Sequence, residues 1–261
     1  MTVDSLPRTS AVPQWFAELF AHRRWIRRTK PFPHVYAQDV FVPEFYQRLA
    51  DQLAQVRRER PAEFGSVGEG YSASGMPLGA LRDGPLAIFT SREWHDLITG
   101  VAGVTATGDM EGSSHHHPPD SPYGWPHNDL NPAWFSGETP GPDEVRLPNP
   151  TVATKTGDRA AGVPARETVR AVAVLFYLGN PGWQQGDGGE TALYDHLGDG
   201  TTPPFLVPPL DNSLLLFEVT PRTWHTFAGN NARERNSLVM WAHRTKDAAT
   251  QRWGEDRIEY W

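Results

Sequence analysis

The 261-residue sequence predicts a mainly β protein with flanking helices, for which a jelly roll is the leading architecture. Three observations carry that expectation. Helical patterning is confined to the N-terminal part. Beyond it, short apolar stretches at 170–178, 212–219 and 236–242 alternate with turns rich in Gly, Pro, Asn and Asp. The longest apolar run, residues 171–178, has the length of a buried strand and falls far short of a membrane span.

Taken in order, an irregular first dozen residues lead into QWFAELFAHRRWIRRTK, which reads as an amphipathic helix with a basic end suited to the helix dipole. Residues 31–42 read as extended. Residues 43–60 open with Pro at a helix start and place Phe45, Leu49, Leu53 and Val56 on one face. A Gly-rich loop at 65–79 precedes a short helix at 90–103 that Gly ends. The expected organisation is one domain: helical support over 1–104, a β core over 105–245 and a C-terminal tail over 246–261. Residues 137–168 form an insertion with little periodicity, which either a lid over a site or a disordered segment would explain.

Composition limits the chemistry. There is no Cys, so disulfides, thiolate catalysis, Cys-ligated zinc and iron–sulfur clusters are excluded. The net charge of −7 argues against general nucleic-acid binding, and a basic N-terminal segment precedes an acidic body. With no secretory signal pattern and no membrane span, a cytoplasmic enzyme is expected. Its chemistry must come from the ten His, the carboxylates, Arg and Tyr.

The most informative stretch is PYGWPHNDL, with His127 and Asp129 two residues apart. On an extended chain such residues share a face and could bind one ion from a single strand end. A second His, His225, follows the strand-like NSLLLFEV, and Arg235 and Ser237 lie ten and twelve residues beyond it. If RNSLVMW is a strand, Arg235, Ser237, Val239 and Trp241 share one face. A buried guanidinium there demands an anionic partner. Two His and one carboxylate leave three positions open on iron, as in non-haem Fe(II) oxygenases. The distal carboxylate of 2-oxoglutarate would then suit Arg235.

With these residues in hand, the C-terminal half resembles the Fe(II)- and 2-oxoglutarate-dependent dioxygenases, on their prolyl-4-hydroxylase-like branch. The matching segments are PHNDL (126–130), residues 173–195 including GGET, residues 208–227 including WH, and RNSLVMW (235–241). The resemblance implies a double-stranded β-helix of the jelly-roll, cupin-like kind. It implies Fe(II) held by His127, Asp129 and His225, with 2-oxoglutarate on Arg235, Ser237 and Tyr177, and O2 as second cosubstrate. Tyr123, Trp125, Asn128 and Trp134 are candidates for a substrate pocket. The carboxylate of Asp129 favours hydroxylation over halogenation, since halogenating relatives lack it. Trp241 stands where nucleic-acid-demethylating relatives carry a second Arg. The expected activity is hydroxylation of an unactivated C–H bond of an amino acid or amino-acid-derived small molecule, with a peptidyl or protein prolyl hydroxylase as runner-up. A non-catalytic metal-binding barrel would predict a degraded ligand set, and a cupin-like isomerase or hydrolase would leave Arg235 unexplained. The run His115, His116 and His117 reads as a solvated or site-mouth segment. No oligomeric state is implied.

Overall fold

The computed structural model describes residues 12–22, 25–68, 71–198, 203 and 205–260. Its short N-terminal elements are α1 (Gln14–Ala17), β1 (Ile26–Arg28) and β2 (His34–Ala37). Helix α2 (Pro43–Glu59), hairpin β3 (Gly65–Ser66) and β4 (Ser74–Pro77), and α3 (Arg92–Ala102) follow. The remaining strands are β5 (Met110–His117), β6 (Pro132–Ser136), β7 (Ala165–Tyr177), β8 (Thr191–Leu193), β9 (Phe205–Val207), β10 (Ser213–Glu218), β11 (His225–Phe227) and β12 (Arg235–Thr245). Helix α4 (Lys246–Trp253) comes last.

Nine strands form a large antiparallel sheet in the order β1-β2-β10-β7-β12-β5-β4-β3, with β6 also on β7. A smaller sheet, β11-β8-β9, faces it, and a bridge between His127 and His225 adds the metal motif to its edge. This is the double-stranded β-helix that the sequence predicts.

Alternation along the central strands divides them into two faces. Val172, Val174 and Phe176 of β7, Leu214 and Leu216 of β10, and Leu238 and Met240 of β12 pack outward against Phe45, Leu49 and Leu53 of α2 and Trp94 and Ile98 of α3. Their neighbours Leu175, Tyr177, Leu215, Phe217 and Val239 point inward, with Leu193 and Val207 of the small sheet. Both main helices form as their patterning predicts. Ser91 caps α3 by accepting from Trp94 N, and Gly103 ends it at φ +71°.

Three expectations change. The basic N-terminal stretch is not one helix: α1 stops at Ala17, and Ile26–Arg28 is an edge strand on β2. Past the turn that ends α1, Phe20 is bridged to Phe41 and Ala21 N donates to Val40 O. Arg23, Arg24 and residues 1–11 lie outside the described residues. The Gly-rich loop contains the hairpin β3–β4, which extends the large sheet beyond β5. The HHH run is strand β5 and not a solvated segment: it pairs with β12 from Arg235 opposite His117 to Ala242 opposite Met110.

The insertion is fastened by turns at the end of the β6–β7 hairpin remote from Asp129, where Gly137 N donates to Pro164 O. Arg92 of α3 holds its Gly141 carbonyl, and Leu147 joins the outer core. These contacts put its first half on the helical side, while Thr154 O accepts from Trp134 N of β6. No helix among the described residues is long and apolar enough to cross a membrane.

Gly112 of β5 lies close under β12: a Cβ there would sit 2.5 Å from Val239 O and 2.8 Å from Leu78 Cδ1. Gly112→Ala is therefore expected to lower stability by about 1–3 kcal/mol. A urea midpoint equal to wild type would show that the strands part there at no cost.

Candidate functional site

His127, Asp129 and His225 offer ligand atoms that all lie within 4.8 Å of one another. Their convergence is not the single strand end that the spacing suggests. His127 is bridged to His225, and the chain then turns sharply, with Asp129 in the left-handed region at φ +63°. Asn131 N donates to Asp129 O and Leu130 N to Asn128 Oδ1, closing the turn. Asp tolerates this conformation better than most residues.

Each imidazole is oriented through its other nitrogen. His127 Nδ1 donates to Trp125 O and His225 Nδ1 to Thr223 O, both at 2.9 Å. Each Nε2 lone pair is thereby turned toward the carboxylate, at 3.6 Å for His127 and 3.2 Å for His225. Burial lowers His127 to about 4, helped by the neighbouring His225, so it is neutral near pH 7. Burial pushes Asp129 up, yet His225, His127 and Arg170 together hold it well below the usual carboxylate range. Electron pairs from two imidazoles and an ionised carboxylate facing one point call for a cation, so the donor set fits Fe(II).

Asp129 is also gripped from behind. Arg170 Nη1 donates to Oδ1 at 3.0 Å and Trp241 Nε1 to Oδ2 at 2.8 Å. The guanidinium stacks 3.8 Å from the Trp241 ring and sends Nε to Glu111 at 2.6 Å. Sequence reading does not find Arg170, because strict alternation would place it outward with Val172. On β12 the partner register passes from Ala242–Val172 to His243–Arg170, leaving Ala171 as a bulge that turns Arg170 inward. Glu111 is likewise unforeseen. Burial pushes it up, but Arg170 and His243 hold it at about 2.

At the other end of the barrel Arg235 is buried among neutral partners. Nη1 donates to Ser237 Oγ at 2.8 Å and Nη2 to Thr191 Oγ1 at 3.1 Å, while Nε has no partner. Tyr177 shares Thr191 Oγ1 at 2.7 Å and lies under the guanidinium. Opposite, in register with Arg235 and Ser237, stand His117 and His115. His117 Nδ1 and His115 Nε2 are buried without partners. Burial, reinforced by Arg235, lowers His115 to about 3. A buried cation ringed by neutral groups and unfilled N–H positions fits an anionic ligand such as a carboxylate of 2-oxoglutarate. The double Gly of GGET serves this wall: a Cβ on Gly188 would meet Asn230 O at 2.7 Å, and Gly189 rests on the Arg235 stem.

Residues 155–243 match the sequence model of the 2OG-Fe(II) oxygenase superfamily, a stretch that holds Tyr177, His225, Arg235 and Ser237. That stretch is a 2OG-Fe(II) oxygenase domain match. His127 and Asp129 lie upstream of the matched stretch. No curated protein matches the chain at the sequence level. Among solved structures, a Trichoplax adhaerens prolyl hydroxylase in complex with a hypoxia inducible factor peptide fragment has TM-score 0.55 at 17% identity, covering 84% of this chain and 86% of that one. A prolyl 4-hydroxylase from Phytophthora capsici has TM-score 0.52 at 21% identity, covering 84% and 61%. The epimerase SnoN from nogalamycin biosynthesis has TM-score 0.50 at 13% identity, covering 81% and 77%. These likenesses are of fold.

The four pocket candidates separate. Tyr123 and Trp125 are exposed, at 61% and 44%, on the segment leading to His127. Asn128 is 2% exposed, and its side chain is bonded to Glu259 and within the turn. Trp134 is covered by the insertion, with Gly157 against its indole and Arg159 5.3 Å from the ring.

Because Glu111 is held down in the fold, its ionised form contributes stability above its ordinary value of 4.5, and this is lost as pH falls toward 2. Glu111→Gln should lose less stability than wild type across that window in acid denaturation. Parallel curves would show that the pair with Arg170 carries no such linkage.

Proposed function

We propose that His127, Asp129 and His225 hold Fe(II), and that Arg235, with Ser237 and Tyr177, binds the distal carboxylate of 2-oxoglutarate. The reaction is hydroxylation of an unactivated C–H bond in an amino-acid-derived substrate, presented as an amide within a peptide or peptide-like molecule. The observation that carries the cosubstrate assignment is a buried Arg235 whose hydrogen-bonding partners are all neutral. Bound iron and its cosubstrates supply activation of O2 and oxidation of the C–H bond.

The chain's own residues orient and neutralise. Two backbone carbonyls keep His127 and His225 in the tautomer that offers Nε2. Arg170 and Trp241 fix both oxygens of Asp129 without taking its charge. These groups act as holders, and none is asked to move a proton.

The amide preference rests on Arg170. Among the described residues it is the cation nearest the metal set, and Glu111 and Asp129 already engage its Nε and Nη1. It retains N–H groups for a neutral carbonyl, whereas a free α-carboxylate would have to compete with two carboxylates already in place. Likeness in fold to a prolyl hydroxylase that holds a peptide agrees with this reading.

Two measurements test the proposal. Anaerobic Fe(II) followed by 2-oxoglutarate should give the visible charge-transfer band of the chelate. Arg235→Ala should weaken 2-oxoglutarate binding on the order of 100-fold, by loss of a doubly hydrogen-bonded charge. No band with intact, folded protein would reject the oxygenase site. Succinate formation should then be at least about tenfold faster, as kcat/KM, on Pro-containing peptides or amide-capped amino acids than on free ones, equal to a discrimination of about 1.4 kcal/mol. Preference for free amino acids would reject the amide reading alone.

A further inference from the structure

The turn that carries Asp129 is tied on both sides to one residue far along the chain. Asn128 Nδ2 donates to Glu259 Oε1 at 2.8 Å. Asn131 Nδ2 donates to Glu259 O at 2.7 Å, and Glu259 N donates to Leu130 O at 2.9 Å. Ile258 and Leu130 are buried in the same apolar cluster. The segment is itself anchored: Tyr260 OH donates to Glu167 at 3.4 Å, and Lys246 bridges Glu167 and Glu255. Asn128 thus performs two tasks, accepting from Leu130 N within the turn and donating to Glu259 outside it.

None of these bonds reaches the Asp129 carboxylate. They fix the backbone around a residue whose left-handed conformation costs on the order of 1–2 kcal/mol relative to an extended one. Released, that residue would relax toward negative φ and swing its side chain away from His127 and His225. We propose that Glu259 is a positioning residue for the metal centre: through Asn128, Leu130 and Asn131 the C-terminal segment holds Asp129 in its ligating geometry. The proposal rests on the assignment of His127, Asp129 and His225 as the metal ligands. It makes metal affinity depend on a side chain that touches neither metal nor cosubstrate.

The test is calorimetric titration of the full chain with Mn(II), comparing Glu259→Ala with Glu259→Gln. Both variants remove the same charge, and only Gln keeps an oxygen able to accept from Asn128. Glu259→Ala should bind Mn(II) about tenfold more weakly, in the range for groups that orient ligands, and Glu259→Gln within about twofold of wild type. Asn131→Leu, which removes only the bond to the Glu259 carbonyl, should weaken binding in the same direction and serves should Glu259→Ala not fold. Circular dichroism confirms folded protein in each case. Wild-type affinity in both Glu259→Ala and Asn131→Leu would overturn the proposal. Equal losses in Glu259→Ala and Glu259→Gln would also overturn it, since the effect would then be charge alone. Asp129→Ala is the reference: if it binds Mn(II) as tightly as wild type, the metal assignment itself fails, and with it the premise.

Discussion

The organisation of this site depends on keeping one buried carboxylate ionised and correctly aimed. Asp129 sits out of water with an imidazole on either side, a guanidinium on one oxygen and an indole N–H on the other. Burial alone would favour its protonated form, and the surrounding charges reverse that outcome. Arg170 and Trp241 are stacked on one another, so each donor is held in place by the other. The carboxylate therefore meets a cation with its geometry and ionisation settled beforehand, the usual route by which ligand-orienting groups raise metal affinity.

That arrangement requires a strand to break its own rule. Along β7, β10 and β12 the outward residues form the core under the helices and the inward residues form the barrel lining. Strict alternation would send Arg170 to the apolar outer face, where an unpaired guanidinium is very costly. The bulge at Ala171 shifts the pattern by one residue and delivers it to Asp129 and Glu111. Hydrophobic packing and site chemistry thus share one strand, with the bulge as the boundary between them.

The sequence made legible what periodicity and spacing encode. The strands at 170–178, 212–219 and 236–242 announce themselves as apolar runs between turn residues, and the shared face of Arg235, Ser237, Val239 and Trp241 follows from a period of two. His127, Asp129 and His225 could be paired because their residue types match one ligand chemistry. What stayed hidden depends on tertiary register. A bulge has no residue signature, so Arg170 was invisible. The polar run at 115–117 looks solvated until β12 is laid beside it and two of its three residues, His115 and His117, become barrel lining. Asn128 lies beside a ligand in sequence and suggests a pocket, yet its partner is 131 residues away, at Glu259. The basic N-terminal stretch has good helical patterning that sheet pairing overrides.

The two ends of the barrel differ in charge balance, and this sorts the ligands. Around Arg235 the polar groups are hydroxyls and imidazoles, with no carboxylate among its hydrogen-bonding partners. Around Arg170 two carboxylates already balance the guanidinium. Between the two ends lie Val239 and Leu175, inward and apolar. A dianionic cosubstrate gains a strong, water-excluded ion pair only at the Arg235 end, and at the other end it would add negative charge to a site already balanced. A substrate without net charge at its point of contact faces the opposite preference. Charge compensation fixed by the fold thus favours an anionic ligand at the Arg235 end and a neutral one at the Arg170 end.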